Sequence, residues 1–193
     1  MNDKQRTKTS KFMSLVLRHS PQTVGITLDA AGWIGVDELL AAMARHDHPI
    51  TREQLMEVVS TNDKQRLCLS EDGARIRANQ GHSVEVELGY EPATPPEMLY
   101  HGTTMRFVDS VLSQGLKKMQ RHHVHLSESI EQTMKVGQRR GRPVLLEIDS
   151  GQMHRDGLVL YRTPNNVWLT DHVPPHYIHL VLDTAGEQDA YPR

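Results

Sequence analysis

The chain has 193 residues, with 22 Lys and Arg against 24 Asp and Glu, 37% apolar residues and one cysteine. The formal charge of −2 excludes a global field for a polyanion, so a nucleic-acid site has to be a local cluster of Arg and Lys. Cys68 alone excludes an internal disulfide and a cysteine-rich zinc site, and no apolar run approaches the ~20 residues that span a bilayer.

The length allows one large domain or two small ones. A split near residue 92 leaves 11 basic and 13 acidic residues before it and 11 of each after it. The N-terminus MNDKQRTKTSK is polar and lacks the apolar core of a signal peptide, so a soluble, cytoplasmic protein with no membrane partner is expected.

In chain order, KFMSLVLRHSP carries Phe12, Leu15 and Val16, with Met13, at the spacing of an amphipathic helix that Pro21 ends. Arg18 and His19 stand side by side at its end. The ordinary explanation for such a pair is that it complements the helix dipole. A short strand is expected at Trp33–Val36, then Asp37 as the N-cap of a helix that turns Leu39, Leu40 and Met43 inward. Thr51 and Gln54 have capping-box spacing at the head of a third helix.

Strands at Arg66–Ser70 and Arg75–Ala78 flank an EDG turn, with Cys68 read as a small core residue. Three helices followed by a hairpin is the order of a winged-helix module. Strand alternation sends Arg75 and Arg77 to one face. The NQGHS that follows groups Asn79, Gln80 and His82 around Gly81, a set of donors that suits an anion, although such turns also arise for purely structural reasons.

GYEPATPPE reads as a linker. Beyond it, MLYHGT, HVHLS, PVLLEID, LVLYRT, NVWLT and YIHLVLD read as strands, with helices at FVDSVLSQG and SIEQTMKVGQRRG. This second half is expected to be an α+β lobe with one or two mostly antiparallel sheets. In MQRHHVHLSES, period two places Arg121, His123, His125 and Ser127 on one strand face, with His122, Val124 and Leu126 on the other. A His-x-His pair can bind metal, but no further ligand or carboxylate accompanies it on that face, so no metal is expected. P-loop, GxGxxG, HExxH and GxSxG motifs are absent from the sequence.

KFMSLVLRHSP, GWIGVDELL, NDKQR, IRANQGHS, LYHGT, RHHVHLS and NVWLTDHVPPHYI together resemble the RNA 2′-phosphotransferase family, KptA in bacteria, from about residue 8 to residue 181. The resemblance implies a winged-helix RNA- and phosphate-binding lobe over residues 1–92 and an ADP-ribosyltransferase-like NAD-binding lobe over residues 93–193. It implies an enzyme that removes an internal 2′-phosphate from RNA, notably the splice-junction phosphate of tRNA; the low net charge permits a monomer. NAD is consumed as co-substrate and no metal takes part. The products are 2′-hydroxyl RNA, ADP-ribose 1″,2″-cyclic phosphate and nicotinamide, formed through an RNA-2′-phospho-ADP-ribose intermediate.

By the same resemblance the catalytic residues are Arg18, His19, Arg66 and Arg121. The NAD-contacting residues are His101, Gly102, Thr103, Ser110, Gly115, His125 and Ser127. The RNA-contacting residues are Arg77, Asn79, Gln80, Gly81 and His82. Two positions depart from the family pattern: Asn166, where Gly is common, and Leu67, where Phe is frequent. Two other readings compete, an ADP-ribosyltransferase that caps terminal phosphates of RNA or DNA, and a winged-helix nucleic-acid binder without catalysis.

Overall fold

A computed structural model describes residues 1–62, 64–137 and 143–181. The chain divides into two units. The first takes Met1–Tyr90 together with two later segments, Gln120–His122 and Thr163–Asn165. The second takes Glu91–Met119, His123–Arg162 and the described residues from Asn166.

In the first unit, α1 (Asp3–Arg18) is followed by a 3₁₀ turn at Pro21–Val24, β1 (Ile34–Gly35), α2 (Val36–Arg45), α3 (Arg52–Ser60), β2 (Leu67–Leu69) and β3 (Arg75–Ala78). The strands form an antiparallel sheet in the order β1-β3-β2. α1 begins well before its apolar stripe, because Asn2 and Gln5 make a capping box in the stretch read only as a polar N-terminus. Its buried stripe is Met13, Val16 and Leu17. The expected stripe was offset: Leu15 is 43% exposed, and Phe12 sits at the edge of the core, stacked on His48 at 3.7 Å.

Thr51 caps α3 with Gln54 as its spacing predicts. Asp37 is not a cap. Gly35 holds the N-cap position of α2, and Asp37 lies in the first turn, where it accepts from Arg52 at 2.7 Å. Cys68 is not a core residue either. It pairs with Arg77 and is half-buried, while Leu67, Ile76 and Ala78 face the core.

In the second unit, β4 (Met98–Thr104), α4 (Met105–Gln114), β5 (Leu116–Lys117), β6 (Val124–Ser127), α5 (Ile130–Gly137), β7 (Pro143–Asp149), α6 (Ser150–Arg155), β8 (Tyr161–Arg162), β9 (Val167–Thr170), β10 (His172–Val173) and β11 (Ile178–Val181) follow one another. Six strands form an antiparallel sheet in the order β11-β7-β4-β6-β9-β8, and β10 pairs with β5. The class is α+β with small antiparallel sheets. The core is built by alternation, with Leu99, Leu126, Leu146, Ile148 and Trp168 all buried. The QRRG end of the expected SIEQTMKVGQRRG helix and the last two residues of YIHLVLD lie outside the described residues. Among the described residues, no helix is long and apolar enough to cross a membrane.

Two details of this fold carry measurable consequences. Asn166, in the turn before β9, has φ 58°, in the left-handed region where glycine is at ease and Asn is the next best tolerated. Either Asn or Gly therefore suits this position. Asn166→Gly should leave the unfolding free energy within about 0.5 kcal/mol of the parent, whereas Asn166→Val should cost about 1–2 kcal/mol in a urea titration.

The second detail is His82, which is 1% exposed, with neither ring nitrogen hydrogen-bonded among the described residues. Burial first, and then the charges of Arg18, His122, His19 and Arg77, push its pKa down to about 3. Its folded pKa is thus below the ordinary 6.5, so the unfolded chain takes up the proton first as the pH falls. Stability should be full above about pH 6.5 and then fall by up to about 1.4 kcal/mol per pH unit toward pH 3. His82→Phe, which loses no hydrogen bond, should flatten that slope when unfolding is measured across pH.

Candidate active site

Arg18 is the last residue of α1. Its backbone carbonyl accepts from the amides of Ser83 at 2.9 Å and Val84 at 3.3 Å, which ties the helix end to the NQGHS turn. Its Nη2 donates to the Arg66 carbonyl and to Gln80 Oε1, each at 3.1 Å. Both acceptors are neutral. Burial first, and then the charges of Arg66 and Arg121, bring the Arg18 pKa down to about 10, with Tyr90 opposing. Among the described residues no carboxylate contributes to that shift.

His19 caps the C-terminus of α1 and is exposed, with Nδ1 3.0 Å from Ser83 Oγ. Burial, then Arg18 and Arg121, hold its pKa below the ordinary imidazole value, so the ring is neutral at neutral pH. Arg66 stands just before β2, its carbonyl accepting from Asn79 N at 3.0 Å. Arg121 belongs to the first unit although it is remote in sequence from the other three. Its expected place on the His125 strand face is corrected, because β6 starts only at Val124 and residues 121–123 form a bend. Alternation therefore holds for Val124 and Leu126, which are buried, and cannot be carried back to Arg121.

The residues expected to contact RNA line this end of the first unit. Arg77 lies over the Trp33 ring at 4.5 Å and Arg75 at 5.4 Å, as their shared strand face predicts. Asn79 is 3% exposed, and its Nδ2 donates to the Gln65 carbonyl at 2.6 Å. Gly81 has φ 83°, which lets the turn reverse between Gln80, bonded to Arg18, and the buried His82. Sequence reasoning missed two neighbours. Tyr90, inside the presumed linker, donates its hydroxyl to the Asn79 carbonyl, and its pKa is raised to about 12, mainly by burial. Ser83 was part of a quoted motif, but its bond to His19 closes a gap of 64 residues.

In the second unit, β4 pairs with β6 through Tyr100 and Ser127, which brings His101 beside His125. His101 Nδ1 lies 3.0 Å from the His125 carbonyl. A carbonyl only accepts, so Nδ1 carries the proton in this contact. Gly102 is required by packing, since a Cβ there would lie 2.7 Å from the Thr133 carbonyl of α5. Ser127 Oγ accepts from Ser129 N at 3.1 Å and so shapes the entry to α5.

Thr103 continues β4, while Ser110 lies on the exposed side of α4. Gly115 caps α4 at φ 77° against the Val173 carbonyl, so it has a folding reason of its own. The three histidines of the RHHVH run part company: His122 belongs to the first unit, His123 meets the Tyr161 ring edge-on at 5.8 Å, and His125 stands in β6. Among the described residues, no group of three or more His, Cys, Asp or Glu is placed to hold a metal ion.

A guanidinium on which two others bear, beside an imidazole kept neutral, can grip an oxyanion and move a proton near it. A family model described as RNA 2′-phosphotransferase, Tpt1 / KptA family, matches residues 4–172. A Trichormus variabilis protein named "Probable RNA 2′-phosphotransferase" is 50% identical over 181 residues, 94% of this chain and 100% of its own length. A Nostoc punctiforme protein of the same name is 49% identical over 181 residues, 94% of this chain and 100% of its own. One from Hahella chejuensis is 50% identical over 185 residues, 96% of this chain and 99% of its own. Half of all positions are thus shared along nearly the whole length, and the chain belongs to the RNA 2′-phosphotransferase, Tpt1 / KptA, family.

Proposed function

We propose that the protein transfers an internal 2′-phosphate of RNA, such as the splice-junction phosphate of tRNA, to NAD⁺. The products are 2′-hydroxyl RNA, ADP-ribose 1″,2″-cyclic phosphate and nicotinamide. Family membership supports the phosphate transfer. Within this chain, one observation carries the reading: among the described residues the Arg18 guanidinium donates only to neutral acceptors, the Arg66 carbonyl and Gln80 Oε1, and its pKa is lowered first by burial and then by the charges of Arg66 and Arg121. Positive charge crowded in this way is relieved by an arriving dianion.

The helix–strand–helix–helix–hairpin order of the first unit supports reading it as a winged helix, and the second unit is read as the ADP-ribosyltransferase-like lobe. His101, Gly102, Thr103, His125 and Ser127 would hold NAD⁺. The fit rests on polar side chains that adjacent strands bring together, His101 with its Nδ1 3.0 Å from the His125 carbonyl and Ser127 paired opposite Tyr100.

The residues act as follows. The phosphate is already an anion, so in the first step Arg18, Arg66 and Arg121 need only orient one of its oxygens toward the anomeric carbon of the nicotinamide ribose, from which neutral nicotinamide departs. Orientation of this kind can lower a barrier by several kcal/mol. In the second step the ribose 2″-hydroxyl attacks phosphorus and the RNA 2′-oxygen leaves with a proton. The guanidiniums hold the non-bridging oxygens as their charge rises, and His19 takes the hydroxyl proton.

Substitution of Arg18, Arg66 or Arg121 by Lys should slow turnover about as much as Ala does, by roughly 10²–10³-fold, since an ammonium cannot form the planar two-point grip. Arg121→Ala should accumulate RNA that carries ADP-ribose on its 2′-phosphate. The assay mixes protein, NAD⁺ and an RNA with one internal 2′-phosphate and resolves the products by mass. Unchanged RNA with the wild-type protein would sink the reading, and a stable ADP-ribosylated end product would assign a transferase that stops after the first step. His19 works as the neutral ring and its pKa in the free protein is lowered, so the acid limb of the kcat/KM profile should have its midpoint below pH 6.5.

A further inference from the structure

The backbone that presents Arg66 is unusual. Gln65 has φ 40°, in the left-handed region that residues with a Cβ rarely adopt. The turn before it is closed by Asn62, whose Oδ1 accepts from Lys64 N at 3.0 Å and whose carbonyl accepts from Gln65 N at 2.7 Å. Both Lys64 and Gln65 are exposed, so little apolar packing fixes this conformation.

Hydrogen bonds fix it instead, and they fall on three carbonyls in succession. The Lys64 carbonyl accepts from Asn165 Nδ2 at 3.0 Å. The Gln65 carbonyl accepts from Asn79 Nδ2 at 2.6 Å. The Arg66 carbonyl accepts from Asn79 N at 3.0 Å and from Arg18 Nη2 at 3.1 Å. Asn79 and Arg18 come from the sheet and the helix next to Arg66. Asn165 comes from 101 residues away, on the short segment Thr163–Asn165 that belongs to the first unit.

The Asn165 amide is also set in orientation. Its Oδ1 accepts from Thr163 Oγ1 at 2.8 Å, and Thr163 is 2% exposed. With the oxygen directed to Thr163, the NH₂ group is the one that meets the Lys64 carbonyl. The bond is not needed for the β2–β3 ladder, whose own register runs from Leu67 to Leu69. It bears on the residue before the strained Gln65.

We infer that Asn165 is a positioning residue for Arg66. By clipping the Lys64 carbonyl it keeps Gln65 left-handed and so directs the Arg66 guanidinium toward the phosphate. This rests on the proposed function, in which Arg66 grips that phosphate. Release of the clip lets Gln65 relax to a right-handed or extended conformation, and the guanidinium that follows swings with it.

The test measures, on the full chain without NAD⁺, the dissociation constants of an RNA with one internal 2′-phosphate and of the same RNA with a 2′-hydroxyl. Their ratio reads the grip on the phosphate alone. Arg66→Ala should collapse the ratio. Asn165→Ala should lower it about tenfold, the size of one lost positioning bond, and leave binding of the 2′-hydroxyl RNA unchanged. Introduced into Arg66→Ala, Asn165→Ala should lower the ratio no further, because it acts only through the missing side chain. Should the alanine variant fail to fold, Asn165→Asp keeps the shape and removes the donor, and it should show the same loss. A wild-type ratio in the Asn165 variant, or an equal loss in both backgrounds, overturns the inference and leaves the proposed function standing. A wild-type ratio in Arg66→Ala overturns both.

Discussion

Everything at the end of α1 depends on holding like charges together. Arg18 donates to the carbonyl of Arg66 while the charges of Arg66 and Arg121 bear on its own guanidinium. Such an arrangement is unfavourable in the free protein and has to be enforced by the fold. At Arg18 the enforcement is the end of α1, capped at His19, whose last carbonyl is held by the amides of Ser83 and Val84. At Arg66 it is a row of three clamped carbonyls. The buried apolar stripe of α1, packed on α2, α3 and the small sheet, supplies the stability against which this repulsion is offset.

The pentapeptide NDKQR occurs twice, at residues 2–6 and 62–66, and it folds differently each time. At the N-terminus Asn2 caps a helix and the Gln5 side chain reaches back to the Asn2 amide at 3.0 Å. At the second site Asn62 closes a turn and Gln65 goes left-handed before a strand. The deciding information lies downstream. The first copy runs into Phe12, Met13, Val16 and Leu17 at helical spacing, and the second into RLCLS, which alternates. The apolar periods, the capping box at Thr51 and the hairpin were legible because each is written within a few residues. The start of α1 was misread although its capping box joins residues three apart, whereas Asp37 is drawn to Arg52, 15 residues away, and the face of Cys68 follows from its pairing with Arg77.

The candidate site divides along the same line. Arg18 and His19 are adjacent in sequence, and the NQGHS turn announces itself by composition. The contacts that aim these groups span 48 residues from Arg18 to Arg66, 64 from His19 to Ser83 and 101 from Lys64 to Asn165, and no local pattern encodes them. Arg121 is the sharpest case. Strand alternation assigned it a face next to His125, yet the strand begins three residues later, Arg121 belongs to the first unit and its charge bears on Arg18 and His19. A run of histidines invited a single explanation, and the fold gives its members separate neighbours.

The crowded charges also govern the imidazole beside them. Burial first, and then Arg18 and Arg121, lower the pKa of His19, which keeps the ring neutral before substrate arrives. In the proposed reaction the phosphate brings two negative charges to the same place and cancels much of that field. His19 would then regain basicity in the bound state, at the moment a ribose hydroxyl has to lose its proton. A receptor built from neutral donors could grip the phosphate too, but it could not couple the arrival of the anion to the strength of the base. Cations with neutral hydrogen-bond partners would do both.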